Sequence, residues 1–250
     1  MQRLIAIILF LLSQAGFIHA QPDDMQITTQ PQTTEAGQVV AGNPVVTLYN
    51  ASDNPVGEGY EVTVILNKRD FTGSSTDTVT TNASGQAVFD NLVIDTADTG
   101  YQLVFSHGTL PDATSGNFEV TPAAPDSMSI ITQPGDTIQG DPVAGPPTIG
   151  LYDAYGNPVT GVDITASVNK NTLNGTVTVP TDATGTAVFN NLSIDDFASG
   201  YELTFDADAA TVSNKTSDAF EIFEEQATLT ITNQPVNSVS AHPVEGTNVV

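Results

Sequence analysis

Residues 195–205 read Asp195-Asp-Phe-Ala-Ser-Gly-Tyr201-Glu-Leu203-Thr-Phe205, and residues 95–105 read Asp95-Thr-Ala-Asp-Thr-Gly-Tyr101-Gln-Leu103-Val-Phe105. From each Tyr onward a large apolar side chain recurs at every second position. A period of two sends alternate side chains to opposite faces of an extended chain, so each Tyr opens a half-buried β-strand. The Asp-rich segment ending in Gly has the chemistry of a tight corner, since Gly takes positive φ without a steric penalty. A Tyr just after such a corner, with an apolar residue two places on, matches the tyrosine corner of sandwich domains. Leu103 and Leu203 stand where antibody domains have their second Cys. Tyr101 and Tyr201 are therefore expected to be buried at equivalent corners.

The two stretches belong to a longer repeat. Met25-Gln-Ile-Thr-Thr-Gln-Pro31 returns as Met128-Ser-Ile-Ile-Thr-Gln-Pro134, and positions 25–56 and 128–159 share 17 of 32 residues. Positions 83–105 match 183–205 at 13 of 23, at a slightly smaller offset, which places short insertions in the loops between. A third opening, Leu229-Thr-Ile-Thr-Asn-Gln-Pro235, follows. Val162, Ile164, Ala166 and Val168 alternate with Asp163, Thr165 and Ser167, as Tyr60, Val62 and Val64 do in the first copy. Around Ala87-Val-Phe-Asp-Asn-Leu92 the parity changes between Phe89 and Leu92, which predicts a bulge or bend at Asp90-Asn91. Thr81-Asn-Ala-Ser-Gly85 and Thr181-Asp-Ala-Thr-Gly185 read as Asx-type turns. In the loop Asp153-Ala-Tyr-Gly-Asn-Pro158, Gly156 occupies the place of Asp53, and both residue types tolerate positive φ.

Short strands with turn signals every 8–12 residues, about seven to a copy and with no helical periodicity, predict an all-β chain of tandem immunoglobulin-like β-sandwiches. The expected boundaries are 1–20 for a signal peptide, 21–122 and 126–223 for two Ig-like domains, and 227–250 for the truncated start of a third.

Composition sets the class of partner. The 250 residues carry 5 Lys+Arg against 29 Asp+Glu, a formal charge of −24 and a sequence pI near 4.1. Such a surface repels phosphate backbones and anionic headgroups, which excludes nucleic acid, and it favours a monomer in isolation. There is no Cys, so thiol catalysis, disulfides and thiolate metal sites are excluded. Arg3, the apolar run Leu4–Leu12 and the small Ala20 before Gln21 have the layout of a secretory signal, and the run is too short to span a bilayer.

The run Leu151-Tyr-Asp-Ala-Tyr-Gly-Asn-Pro-Val-Thr-Gly-Val-Asp-Ile-Thr165, followed by Thr181-Asp-Ala-Thr-Gly-Thr-Ala-Val-Phe189, resembles the bacterial Ig-like repeats of the invasin and intimin type. The likeness covers both complete copies. It implies rods on the cell surface or in secreted proteins, with a protein or glycan at a cell surface as the class of partner.

Candidate chemistry is sparse. His19, His107 and His242 are scattered without metal-ligand spacing. The carboxylate pairs Asp95/Asp98, Asp195/Asp196, Asp206/Asp208 and Glu224/Glu225 fall at corners and loops, whereas glycosidase chemistry needs two carboxyls in a shared cleft. Glu221, Glu224 and Glu225 are the calcium candidates at the end of the second copy. Asp77-Thr-Val, Asp95-Thr-Ala, Asp126-Ser-Met and Asp136-Thr-Ile fit an O-glycosylation tripeptide that any Asp/Thr-rich chain contains. The sequence thus predicts no catalytic, cofactor-binding or metal-binding residues and no cofactor. The expected role is non-catalytic: spacer or adhesion modules of a longer secreted or surface polypeptide. The alternative is a ligand- or carbohydrate-binding accessory module of a secreted enzyme, with Tyr155 as its loop aromatic.

Overall fold

A computed structural model describes residues 20–225. Residues 1–19 and 226–250 lie outside the described residues, and with them all of the 1–20 leader reading but Ala20, the whole 227–250 third-repeat reading, and His19 and His242.

The first sandwich contains β1 (Asp24–Thr29), β2 (Thr34–Glu35), β3 (Val45–Tyr49), β4 (Glu61–Leu66), β5 (Thr78–Thr80), β6 (Gln86–Val88), β7 (Asp98–Tyr101), β8 (Leu103–Ser106), β9 (Ala113–Thr114) and β10 (Phe118–Thr121). The second repeats them as β11 (Pro125–Thr132), β12 (Thr137–Ile138), β13 (Thr148–Asp153), β14 (Asp163–Val168), β15 (Thr178–Pro180), β16 (Thr186–Val188), β17 (Ala198–Tyr201), β18 (Leu203–Ala207), β19 (Lys215–Thr216) and β20 (Phe220–Phe223). Each copy has one sheet of order β1-β3-β6, another of order β5-β4-β8-β9 and a third of order β2-β10-β7, with the same arrangement in the second.

The expected run of about seven strands becomes ten segments, and one of the divisions has a local reason. β7 and β8 are one extended stretch interrupted at Gln102. There Asn67 Oδ1 accepts the Gln102 N–H at 2.9 Å and Ser115 Oγ accepts the Leu103 N–H at 2.9 Å, so side chains replace ladder partners. Asn169 and Ser217 do the same for Glu202 and Leu203, at 3.2 and 3.0 Å.

The Gln-Pro signature also acquires a physical meaning. β1 pairs antiparallel with β3, whereas β2 pairs parallel with β10, so the chain changes sheet between them. Pro31 cannot donate to a ladder and marks the change. Gln30 Oε1 meanwhile accepts the Gly116 N–H at 3.0 Å, pinning the crossing to the other sheet. Gln133 and Asp218 repeat the contact at 3.0 Å in the second sandwich.

Alternation fills the interior as the pattern requires. Met25, Leu48, Val62, Val64, Phe89, Leu92, Tyr101, Leu103 and Phe105 belong to one core, and Met128, Leu151, Ile164, Phe189, Leu192, Tyr201, Leu203 and Phe205 to another. The two cores share no residue. The expected change of parity is a bend: β6 ends at Val88, Asp90 is exposed, and both Phe89 and Leu92 are fully buried. Gly85 and Gly185 take φ of 71° and 70°, and Asp53 and Gly156 take 57° and 83°.

The tyrosine corners form. Tyr101 Oη donates to the Thr96 carbonyl at 2.9 Å and Tyr201 Oη to the Asp196 carbonyl at 2.7 Å, with both rings fully buried. A lysine braces each corner. Lys68 Nζ lies 5.6 Å from the Tyr101 ring centroid, bonds the Thr99 carbonyl and pairs with Asp98 at 2.9 Å. Lys170 Nζ lies 4.7 Å from the Tyr201 ring centroid and bonds the Ser199 carbonyl. A cation over a ring face adds attraction from the ring quadrupole.

Candidate functional site: the joint between the sandwiches

The most elaborate polar cluster among the described residues lies where the sandwiches meet. β13 ends at Asp153, and the loop beyond it turns sharply because Gly156 accepts positive φ. Asp153 Oδ1 accepts the N–H groups of Tyr155 and Asn157 at 2.9 and 2.8 Å, an Asx turn that shapes the loop into a plug. Its other oxygen accepts the Asn157 amide at 2.8 Å and, across the joint, the Ala123 N–H at 2.9 Å. Asn157 also crosses the joint. Its Oδ1 accepts the Ala97 N–H at 2.8 Å and its Nδ2 donates to the Asp95 carbonyl at 2.7 Å. The Tyr155 phenol ring lies against Gly37 of the first sandwich, so closely that a Cβ on Gly37 would overlap it.

Asp153 is 2% exposed and Asn157 6%. A carboxylate is costly to bury unless its hydrogen bonds are made, and here they are. Burial pushes the Asp153 carboxyl up. The Asn157 amide and the N–H groups of Ala123, Asn157 and Tyr155 outweigh that and hold it below the usual carboxylate range. No buried side-chain nitrogen or oxygen among the described residues lacks a partner.

The equivalent loop of the first sandwich has the same turn with different chemistry. Asn50 Oδ1 accepts the N–H groups of Ser52 and Asn54 at 2.9 and 3.1 Å. Asn50 replaces Asp153, and Ser52 replaces Tyr155. The plug was therefore visible in the sequence as an aromatic and a carboxylate added to an otherwise repeated loop. The receiving side was not legible, because Asp95, Ala97 and Ala123 contribute only backbone atoms. Tyr155, the loop aromatic named for the accessory-module alternative, is half-exposed, with its ring against Gly37.

The other candidates stay apart. His107 Nδ1 contacts the Glu61 carbonyl at 2.6 Å, and its ring stands edge-on to Tyr60 at 5.8 Å. Asp98 is held below the usual range by Lys68. Asp195 accepts the Asn174 amide at 2.9 Å, and Asp196 gives only its carbonyl to Tyr201. Asp206, Asp208, Glu221, Glu224 and Glu225 are exposed. Among the described residues no three His, Asp or Glu side chains gather as metal ligands would, and no helix is long and apolar enough to cross a membrane.

No family model and no curated protein matches the chain. Solved structures do. Yersinia pseudotuberculosis InvD matches at 20% identity and a TM-score of 0.47, over 82% of this chain and 60% of that one. The D0-D1 domains of intimin match at 13% and 0.31, over 81% and 98%. Invasin, described as a bacterial integrin-binding protein, matches at 16% and 0.37, over 78% and 39%. The chain thus spans less than two thirds of InvD and about two fifths of invasin. The structural neighbours include Ig-like domains of intimin and invasin type, each at a TM-score below 0.5, and the tandem of immunoglobulin-like β-sandwiches is read from this chain's own strands and two cores.

Proposed function

We propose that the chain is a non-catalytic extracellular or cell-surface protein whose sandwiches are stiff spacer and adhesion modules of a longer polypeptide. The observation that carries this reading is the joint. Two nearly buried polar side chains, Asp153 and Asn157, hold three backbone groups of the neighbouring sandwich, and Tyr155 covers Gly37. A flexible tether between independent binding domains needs no such lock, whereas a rod does, since its reach depends on every joint keeping its angle. The carboxylates that do line one hollow together, Asp70 with Asp77 and Glu224 with Glu225, have no histidine in that lining, which supports a non-catalytic role. The layout of Arg3, Leu4–Leu12 and Ala20 supports export with Gln21 as the first mature residue.

Small-angle scattering on residues 21–250 tests the stiffness. The parent should fit one extended shape. Asp153→Ala/Asn157→Ala, which removes all the cross-joint side-chain bonds, should broaden the distribution of distances while each sandwich keeps its circular dichroism. Equally broad distributions for both proteins would refute the spacer reading. Labelling of intact cells with a membrane-impermeant reagent tests location, and a chain reached only after lysis would contradict it.

A further inference from the structure

The far end of the second sandwich repeats the surface that receives the plug on the first. Gly140 corresponds to Gly37: Gly37 N–H donates to the Ile94 carbonyl and Gly140 N–H to the Ile194 carbonyl, at 2.8 and 2.9 Å. Asp195 and Phe197 correspond to Asp95 and Ala97, and Glu225 to Ala123, so the backbone groups that Asn157 and Asp153 hold on one sandwich recur on the next. The side chains around them have changed. Phe197 replaces Ala97, Phe223 replaces Thr121 and Ile138 replaces Glu35, and they are 57%, 46% and 41% exposed. Among the described residues the space over Gly140 holds nothing nearer than the Asp195 carboxyl, 3.8 Å from where a Cβ would stand, whereas Tyr155 fills the space over Gly37. Three large apolar side chains grouped at one end of a chain this polar mark a contact surface.

We infer that this end is a socket for the plug loop of a third sandwich of the same repeat, one with a neutral residue in place of Asp153. The inference rests on the reading of the chain as modules of a longer polypeptide. The repeat itself carries it. The same elements form the socket in both sandwiches, the first socket is filled by the sandwich that follows, and Leu229-Thr-Ile-Thr-Asn-Gln-Pro235 begins that pattern again directly after the second. Charge selects the plug. Asp196, Glu224 and Glu225 stand where the first socket has Thr96, Pro122 and Ala123. A carboxylate brought to the Glu225 N–H would face those acids, and like charges in partly desolvated contact repel. An amide at that position, as Asn50 already is in the first sandwich, forms the same turn and can donate to them.

The test is a chain of residues 21–228 joined to a second copy of 128–225, so that the natural linker leads into an added sandwich with its own plug. Each sandwich has a separate core, so the added copy folds by itself. Hydrogen exchange is followed at the Gly140, Phe197 and Glu225 amides. When the added plug carries Asp153→Asn, these amides should exchange at least about tenfold more slowly than in residues 21–250, and the Asp153 plug should protect them less. Phe197→Asp with Phe223→Asp in the middle sandwich should abolish the protection. Exchange unchanged with either plug overturns the inference, and stronger protection by the Asp153 plug overturns its charge rule. A mass for residues 21–250 that grows with concentration, and is reversed by Phe197→Asp, would give the face to a second copy instead and also overturn it. The length of the polypeptide that cells export is read separately, so failure of the socket and failure of the spacer reading are told apart.

Discussion

Removing the hydroxyl of Tyr201 leaves the Asp196 carbonyl without the donor that now reaches it at 2.7 Å. A lost hydrogen bond of this kind costs about 1–3 kcal/mol. Truncating Leu203, which is wholly buried, removes transfer energy and opens a cavity, and costs about 2–5 kcal/mol. Calorimetry should therefore find Leu203→Ala melting below Tyr201→Phe, and both below the parent; the reverse order would mean that the corner bond outweighs core packing. Asp153 makes a prediction about pH. Its folded pKa is depressed, so its contribution to the joint is complete above the unfolded value of about 3.9 and is lost as pH falls through the lowered folded value. The joint should hold at neutral pH and loosen below about pH 4, as scattering from dilute protein would reveal, and Asp153→Asn should weaken that acid dependence. At this scale the core residues were legible from alternation alone. The joint was not, because hydrogen bonds from Asn157 to backbone atoms some 60 positions away leave no trace in local sequence.

The Asp182 turn illustrates how an element is fixed. Its Oδ1 accepts from the backbone of Thr184 and Thr186 and from both hydroxyls, with the Thr184 hydroxyl foremost, and the carboxyl is held down to about 2. Gly185 closes the turn at φ 70°, and a Cβ there would lie 2.7 Å from Pro158 Cβ and 2.9 Å from the Leu151 carbonyl oxygen. Gly161, at φ 78°, has open space around it. Gly185→Ala should therefore cost both backbone strain and a clash, and Gly161→Ala strain alone. For a domain of this size each kcal/mol moves Tm by roughly 4–8 °C, so the two variants should separate clearly in a melt. Equal Tm values would show that the turn gives way without cost. Turns and strands were readable because their signals are local. The break at Gln102 was not, since it depends on Asn67 and Ser115 arriving from other strands.

Two separate cores, one repeated topology and a single sign of charge define the molecule as a whole. With −24 formal charges the folded chain repels itself, and the screening length falls from about 10 Å at 0.1 M salt to about 3 Å at 1 M. Thermal stability should rise as sodium chloride is raised from low to molar concentration; a falling Tm would show that ion pairs such as Lys68–Asp98 outweigh the repulsion. The tandem architecture was legible because the chain repeats itself. The placement of one sandwich on the next was not, because it rests on the side chains of one loop, Asp153, Tyr155 and Asn157, meeting backbone atoms of the first copy. The lysines over the tyrosine corners have one more consequence. A digestive protease that cuts after basic residues finds Lys68, Arg69, Lys170 and Lys215 as its targets among the described residues. Cleavage requires the target side chain to leave its own fold and extend into the enzyme. Lys68 and Lys170 would first have to abandon a tyrosine ring and a backbone carbonyl. Two of these four targets are thus tied into the fold, and a trypsin-like enzyme should cut the folded chain slowly after Lys68 and Lys170.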